Sequence, residues 1–139
     1  MNTTDTSTTM ADILTRYRTV AVVGLSPKAH RESFGVAQYM QAHGWRIIPI
    51  NPNASEILGE TAYSSLTEAA QHHTIELVNV FRNSDDVPPV VDEAIAVGAK
   101  AVWLQLGIQH ELAAQKARDA GLQVVQNKCL MVEYRNRQR

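Results

Sequence analysis

An uninterrupted apolar run, residues 20–23, ends at Gly24 and leads through a short loop into a helix-like segment. A strand that is apolar at successive positions must be buried on both faces, as parallel strands covered by helices are. Gly24 permits a tight turn or a close approach by a ligand, and the amides that open the following helix favour an anion. The run therefore predicts the first strand of an open α/β sheet, with a phosphate site at its end.

The remainder of the chain alternates strand-like and helix-like segments with short connections, which is typical of a parallel α/β sheet. Strands are predicted at residues 19–24, 45–50, 75–81, 101–106 and 122–126. Helices are predicted at residues 10–17, 33–43, 66–70, 84–97 and 109–120, with residues 53–65 as a loop. Right-handed crossovers make the simplest arrangement a three-layer, Rossmann-like α/β fold whose five parallel strands follow the order 3-2-1-4-5.

Particular residues are expected to begin these helices. Ser33 is a candidate cap for the second helix, and Ser65 or Thr67 for the third. Pro88 and Pro89 are compatible with the fourth helix because prolines are tolerated in a first turn.

Length and composition bound the function classes. The 139 residues suit one domain, predicted at residues 11–139 after a flexible N-terminus, residues 1–10. A net charge of −1 argues against nucleic acid, and no apolar stretch approaches the roughly 20 residues that span a membrane. The single cysteine, Cys129, fits a reducing compartment. We therefore expect a cytoplasmic protein, monomeric or homodimeric, that binds neither nucleic acid nor membrane.

Ligands of such sheets bind at the carboxyl ends of the strands, where the strand order reverses. The predicted order places this edge after the first and fourth strands, with the second strand beside them. The loops at residues 24–33, 51–53, 81–84 and 105–108 are therefore the candidate ligand loops.

The first of these loops lacks the features of a dinucleotide site. No second glycine follows Gly24 at the required spacing, and Asn51 stands where an acid would bind a ribose, so NAD is disfavoured. The loop instead carries four groups suited to phosphate, two hydroxyls and two cations, namely Ser26, Ser33, Lys28 and Arg31. The alternative is that Ser33 only caps its helix and that both cations are solvated surface charges.

Several motifs in order resemble one family. They are Val23-Gly24-Leu25-Ser26 with Arg31 and Ser33, Ile48-Pro49-Ile50-Asn51-Pro52, Val80-Phe81-Arg82-Asn83-Ser84, Val102-Trp103-Leu104-Gln105-Leu106-Gly107-Ile108, and Cys129 with Glu133. Together they resemble the small stand-alone CoA-binding domain proteins, relatives of the N-terminal domain of the succinyl-CoA synthetase α subunit. The resemblance covers nearly all of residues 19–133.

This resemblance implies a site for coenzyme A or an acyl-CoA. It implies that Gly24 and Ser26 meet phosphate or pantetheine, that Arg31 and Ser33 meet the phosphate end, and that Asn51 and Pro52 meet the adenine and ribose. Phe81 and Arg82 would shape the adjacent wall, and Gln105, Leu106 and Gly107 would run along the pantetheine. The full set of expected ligand-binding residues is Gly24, Leu25, Ser26, Lys28, Arg31, Ser33, Asn51, Pro52, Phe81, Arg82, Gln105, Leu106 and Gly107.

No complete catalytic constellation is recognisable, and no P-loop, nucleophile elbow or paired carboxylates are present. The adjacent His72 and His73 do not share a helix face, so no metal site is expected. Cys129 is expected to be a small buried apolar residue. We therefore expect a CoA-binding protein rather than an enzyme. The alternatives are a small acyl-CoA-processing enzyme that uses Cys129, His30 or His110, and a regulatory subunit of a CoA-dependent ligase.

Overall fold

The computed structural model describes residues 6–137. Five parallel strands form the main sheet, flanked by helices on both faces, which confirms the predicted three-layer α/β class. The strands of this sheet are β1 (Thr19–Val23), β2 (Arg46–Ile50), β5 (Leu77–Val80), β6 (Ala101–Leu104) and β7 (Gln123–Val125). A separate two-stranded hairpin consists of β3 (Glu56–Ile57) and β4 (Glu60–Thr61).

Six α-helices are present among the described residues: α1 (Thr6–Arg16), α2 (Glu32–Ala42), α3 (Leu66–Ala69), α4 (Val87–Ala96), α5 (Glu111–Asp119) and α6 (Leu130–Arg137). Residues 6–10, which were expected to be flexible, belong to α1, and residues 1–5 lie outside the described part of the chain. A short 3₁₀ turn, Ser84–Asp86, precedes α4, and the prolines occupy the first turn of that helix as predicted.

Each face of the sheet has its own apolar core. Along β1, Ala21 and Val23 pack towards α3, α4 and α5, whereas Val20 and Val22 pack towards α1, α2 and α6. Side chains alternate between the two faces of a strand, so a strand that is buried on both faces must be apolar throughout. The continuous apolar run in the sequence has this structural cause.

The strand order differs from the prediction. The sheet runs β2-β1-β5-β6-β7, so the third of the five parallel strands lies between the first and the fourth rather than outside the second. The order 3-2-1-4-5 is therefore wrong, and the observed order is 2-1-3-4-5, the other common doubly wound arrangement.

The outer side of β2 is already covered, which excludes another strand there. Tyr63 donates its N–H to the Pro49 carbonyl at 2.9 Å and accepts the Asn51 N–H at 2.8 Å. Pro49 itself has no N–H to give to a neighbour, and a proline within a strand is confined to sheet edges. Pro49 was therefore a signal in the sequence that the second strand lies at an edge.

Two local predictions also need correction. The segment expected to be a loop, residues 53–65, contains the β3–β4 hairpin. Ser33 does not cap α2, because Arg31 occupies the N-cap position and Ser33 lies within the helix. Ser65 does cap α3, by accepting the Glu68 N–H at 3.1 Å.

Within residues 6–137, none of the helices combines the length and the apolar character that crossing a membrane requires.

Candidate functional site

A cleft of about 500 Å³ opens at the carboxyl ends of β1 and β5, beside the loop that follows β6. From this point the chain order of the strands runs outward in both directions, to β2 on one side and to β6 and β7 on the other. Open α/β sheets bind ligands at such reversals. The corrected strand order thus places the site between the first and third parallel strands, not between the first and fourth. The cleft is lined by Gly24, Ser26, Arg31, Glu32, Ser33, Phe81, Arg82, Asn83, Ser84, Gly107 and Ile108.

Gly24 allows the neighbouring strands β1 and β5 to end close together. Its φ is +87°, and a Cβ at this position would lie 2.3 Å from the Phe81 carbonyl oxygen. The Gly24 N–H donates to the Ile50 carbonyl at 3.1 Å, and the Phe81 N–H donates to the Val23 carbonyl at 2.9 Å. Any larger residue would clash with backbone, so Gly24 shapes the base of the cleft.

The loop after β1 is held in place by its own hydrogen bonds. The buried Ser33 hydroxyl accepts the Ser26 N–H at 3.0 Å, and the Ser26 hydroxyl accepts the Lys28 N–H at 3.1 Å. The Arg31 N–H closes the turn by donating to the Lys28 carbonyl at 3.0 Å. The loop therefore needs little rearrangement to present its backbone to a ligand.

The N-terminus of α2 opens towards this cleft without a side-chain cap. Arg31, at the N-cap position, makes no capping hydrogen bond. The Phe34 N–H donates to the Arg31 carbonyl at 3.1 Å, which leaves the Glu32 and Ser33 amides for another acceptor. The helix dipole also favours a negative charge at that end. Serine, threonine, aspartate or asparagine would normally supply the missing acceptor. At this helix an anionic ligand could take that place.

The charges at the cleft are mainly positive. Arg31 and Arg82 are exposed and line the cleft, and neither forms an ion pair within the described part of the chain. Glu32 contributes the one carboxylate among the lining residues. Arginine binds phosphate through planar, bidentate hydrogen bonds, so this pair suits a phosphorylated ligand.

The structure brings many of the predicted ligand residues together and separates others. Those that line the cleft are Gly24, Ser26, Arg31, Ser33, Phe81, Arg82 and Gly107. Those that do not are Leu25, Lys28, Asn51, Pro52, Gln105 and Leu106. Leu25 is fully buried, and its carbonyl accepts the Asn51 Nδ2 N–H at 2.9 Å.

Four lining residues were missed by the prediction of individual positions: Glu32, Asn83, Ser84 and Ile108. Asn83, Ser84 and Ile108 lie in loops already marked as candidate ligand loops. Glu32 lies within the first of them. Loop position was therefore the better signal than residue type, although the marked loop at residues 51–53 contributes no lining residue.

The side chain of Asn51 is occupied within the protein. Its Nδ2 donates to the Leu25 carbonyl at 2.9 Å, and its Oδ1 accepts the Asn53 N–H at 2.7 Å. Asn51 thus ties the end of β2 to the loop after β1, outside the lining of the cleft.

Gln105 points into the protein rather than along the cleft. Its Oε1 accepts the Leu130 N–H at 3.2 Å and the Asn79 Nδ2 at 3.3 Å, and both side chains are buried. The Gln105 side chain therefore fixes the start of the loop after β6. Its backbone is bonded as well, because the Gln105 N–H donates to the Val80 carbonyl at 3.2 Å and the Gln105 carbonyl accepts the Ile108 N–H at 2.9 Å.

Cys129 is a buried free thiol that packs in the core on the α6 side, as expected from the sequence.

The Tyr63 hydroxyl lies 3.2 Å from Nε2 of His73, whose pKa is lowered by burial and, secondarily, by the Arg46 charge. Across residues 6–137, no three His, Cys, Asp or Glu side chains are grouped so as to hold a metal ion.

Comparison with known proteins identifies similar chains. A family described as a CoA binding domain matches residues 18–135. The uncharacterized protein YneT of Bacillus subtilis is 40% identical over 123 residues, 88% of this chain and 90% of YneT. A hypothetical protein from Pyrococcus horikoshii is 36% identical with a TM-score of 0.89, and 98% of each chain is covered.

A more distant similarity concerns the fold alone. The dinucleotide forming acetyl-coenzyme A synthetase 1 of Candidatus Korarchaeum cryptofilum is 21% identical with a TM-score of 0.66. The match covers 77% of this chain and 25% of that much longer one.

Proposed function

The chain belongs to the CoA-binding domain family, and on that premise we propose that it binds coenzyme A or an acyl-CoA in the cleft at the carboxyl ends of β1 and β5. We further propose that it acts as a binding protein without a self-contained active site.

The observation that carries this proposal is the uncapped N-terminus of α2 beside two unpaired arginines. The diphosphate of CoA is a compact anion, and helix amides together with Arg31 and Arg82 offer it hydrogen bonds and positive charge. The ordered loop at Ser26 and Ser33 limits the entropy lost when the ligand binds.

We assign the rest of the ligand to the loops that the family resemblance implies. The pantetheine arm would run along the backbone at Gly107 and Ile108, which also line the cleft. The adenine and ribose would extend towards Asn51 and Pro52, which lie beyond the cleft lining. Lys28, exposed on the first loop, would add charge near the phosphates.

The surroundings of the three candidate catalytic side chains favour binding over catalysis. His110 caps α5, since its Nδ1 accepts the Ala113 N–H at 3.1 Å. Cys129 is buried, and His30 is exposed on the first loop and is not among the residues that line the cleft. A single buried thiol also suits a cytoplasmic protein.

A thermal-shift panel with CoA, acetyl-CoA, NAD, NADP, ATP and FMN tests the choice of ligand. A ligand that binds only the folded state raises Tm, so CoA and acetyl-CoA should give the largest shifts. Stabilisation by NADP or FMN without stabilisation by CoA would refute the proposal.

The Arg31→Ala variant tests the phosphate contact. Loss of one charge-assisted hydrogen bond should weaken CoA binding by roughly 1 to 3 kcal/mol, measured by calorimetry. Arg135→Ala is the matched control, because Arg135 is exposed on α6 away from the cleft lining. Equal affinities in the two variants would show that Arg31 is a solvated surface charge and does not contact the ligand. Turnover of an acyl-CoA that is lost in Cys129→Ser would show an enzyme instead.

A further inference from the structure

Residues 126–130 fasten the loop that forms one wall of the cleft. His110 N–H donates to Gln126 Oε1 at 2.8 Å, Trp103 Nε1 donates to the Lys128 carbonyl at 2.9 Å, and Leu130 N–H reaches Gln105. These bonds lie on both sides of Gly107 and Ile108 in the chain. Residues 126–130, which join β7 to α6 and include the first residue of that helix, are thus a strap that holds the loop after β6.

Asn127 is the residue of this strap that holds the lining itself. Its Oδ1 accepts the Gly107 N–H at 2.6 Å, and its own N–H donates to the Ile108 carbonyl at 3.1 Å. Asn127 has a φ of +59°, in the left-handed region that asparagine tolerates better than most residues. This conformation accompanies a reciprocal pair of hydrogen bonds to two adjacent lining residues.

We propose that Asn127 is a positioning residue for the ligand cleft, an inference that rests on the proposed function. Gly107 has a φ of +86° and carries no side chain that could fix it by packing. Glycine has the largest conformational freedom to lose, so a free Gly107 would have to be ordered when a ligand binds. The bond to Asn127 orders this wall beforehand.

The same bond also decides what the wall can recognise. Because the Gly107 N–H is already committed to Asn127, it does not serve as a donor to phosphate. Recognition of the anion therefore falls on the N-terminus of α2, Arg31 and Arg82, and the Gly107 wall contacts an uncharged part of the ligand. Asn127 acts on the pantetheine arm, and the nucleotide end of the ligand is independent of it.

The experiment compares Asn127→Gly, which keeps the left-handed backbone but removes the acceptor, with Asn127→Asp, which keeps an acceptor. CoA should bind Asn127→Gly roughly three- to ten-fold more weakly, the range expected for one net hydrogen bond. Adenosine 3′,5′-bisphosphate, which lacks the pantetheine, should bind the wild type and Asn127→Gly equally. Asn127→Asp should retain CoA affinity within about two-fold at high ionic strength, where its added charge is screened.

Hydrogen exchange of the Gly107 amide provides a readout that general destabilisation would not mimic. In the free Asn127→Gly protein this amide should exchange faster, while amides of β1 and β5 remain protected. Unchanged CoA affinity in Asn127→Gly, an equal loss for the bisphosphate, or an Asn127→Asp variant as weak as Asn127→Gly would each overturn the inference. A wild-type protein that does not bind CoA would instead refute the proposed function.

Discussion

At the amino ends of β1 and β5, the Glu76 carboxylate accepts the N–H groups of Arg18 and Thr19, each at 2.9 Å. At the carboxyl ends of the same strands, Arg31 and Arg82 face the cleft and form no ion pair within residues 6–137. At the amino edge these backbone amides are thus bonded within the protein, whereas at the carboxyl edge the two arginines are left for a ligand.

Arg18, which precedes β1 at this amino edge, has several partners within the protein. Its guanidinium donates to the carbonyls of Leu14 and Tyr17, both at 2.6 Å, and lies 5.3 Å and 5.7 Å from the ring centroids of Trp45 and Tyr134. Such contacts stabilise a fold but leave little for a ligand. The contrast teaches that a cation in this protein indicates function when it both lacks an ion pair and lines the cleft, not when it is merely present.

The largest effect on stability is expected at Gly24, where the carboxyl edge of the sheet depends on the backbone conformation of one residue. Gly24→Ala should destabilise the protein by about 3 kcal/mol, because a Cβ meets the Phe81 carbonyl in a left-handed conformation. Gly35→Ala is the control, since Gly35 lies in α2 and a Cβ added there would have no neighbour within 4 Å. That change should instead stabilise the protein by roughly 0.5 to 1 kcal/mol, measured by urea unfolding. A Gly24→Ala protein as stable as the wild type would contradict the close approach of β1 and β5.

An intermediate effect separates the two edges directly. Arg18→Ala should lower the free energy of unfolding by about 1 to 2 kcal/mol and leave CoA affinity unchanged, because it removes packing and hydrogen bonds far from the cleft. Arg31→Ala should weaken CoA binding and leave the free energy of unfolding unchanged. Measuring unfolding and binding for both variants tests the comparison, and it fails if either variant changes both quantities alike.

The smallest effect concerns pH at the amino edge, where His73 lies near Arg46. Because the pKa of His73 is lowered in the folded protein, the unfolded chain binds a proton more readily as the pH falls below about 6.5. The contribution of His73 to the free energy of unfolding should therefore be constant above that pH and decrease below it. Unfolding midpoints between neutral pH and about pH 5 should fall less in His73→Gln than in the wild type. Parallel pH profiles would show that His73 does not contribute.

Much of the fold was predictable from local pattern. The five parallel strands and the helices between them follow from apolar periodicity, and Ser65 and the prolines of α4 mark helix starts as expected. The prediction that Ser33 caps α2 is wrong. A serine near a helix start is a common cap, and only the folded loop shows that its hydroxyl accepts the Ser26 N–H instead. The strand order was also missed, although Pro49 pointed to an edge.

The candidate site was predictable as a set of loops but not as a set of side chains. Loop positions follow from strand ends, whereas the direction of a side chain depends on which neighbours pack around it. Leu25 and Gln105 turn into the core, and Asn127 reaches Gly107 across 20 residues of sequence. None of these contacts leaves a periodic trace in the chain.

The sequence by itself determined that β1 is buried on both faces, that Gly24 ends it, and that the chain resembles the CoA-binding domain family. These properties depend on residue type and short-range spacing. The tertiary structure alone decided that the cleft lies between β1 and β5, that α2 begins without a side-chain cap, and that Asn127 is bonded to Gly107 in the cleft lining. Each of these depends on contacts between distant segments, which local spacing does not encode.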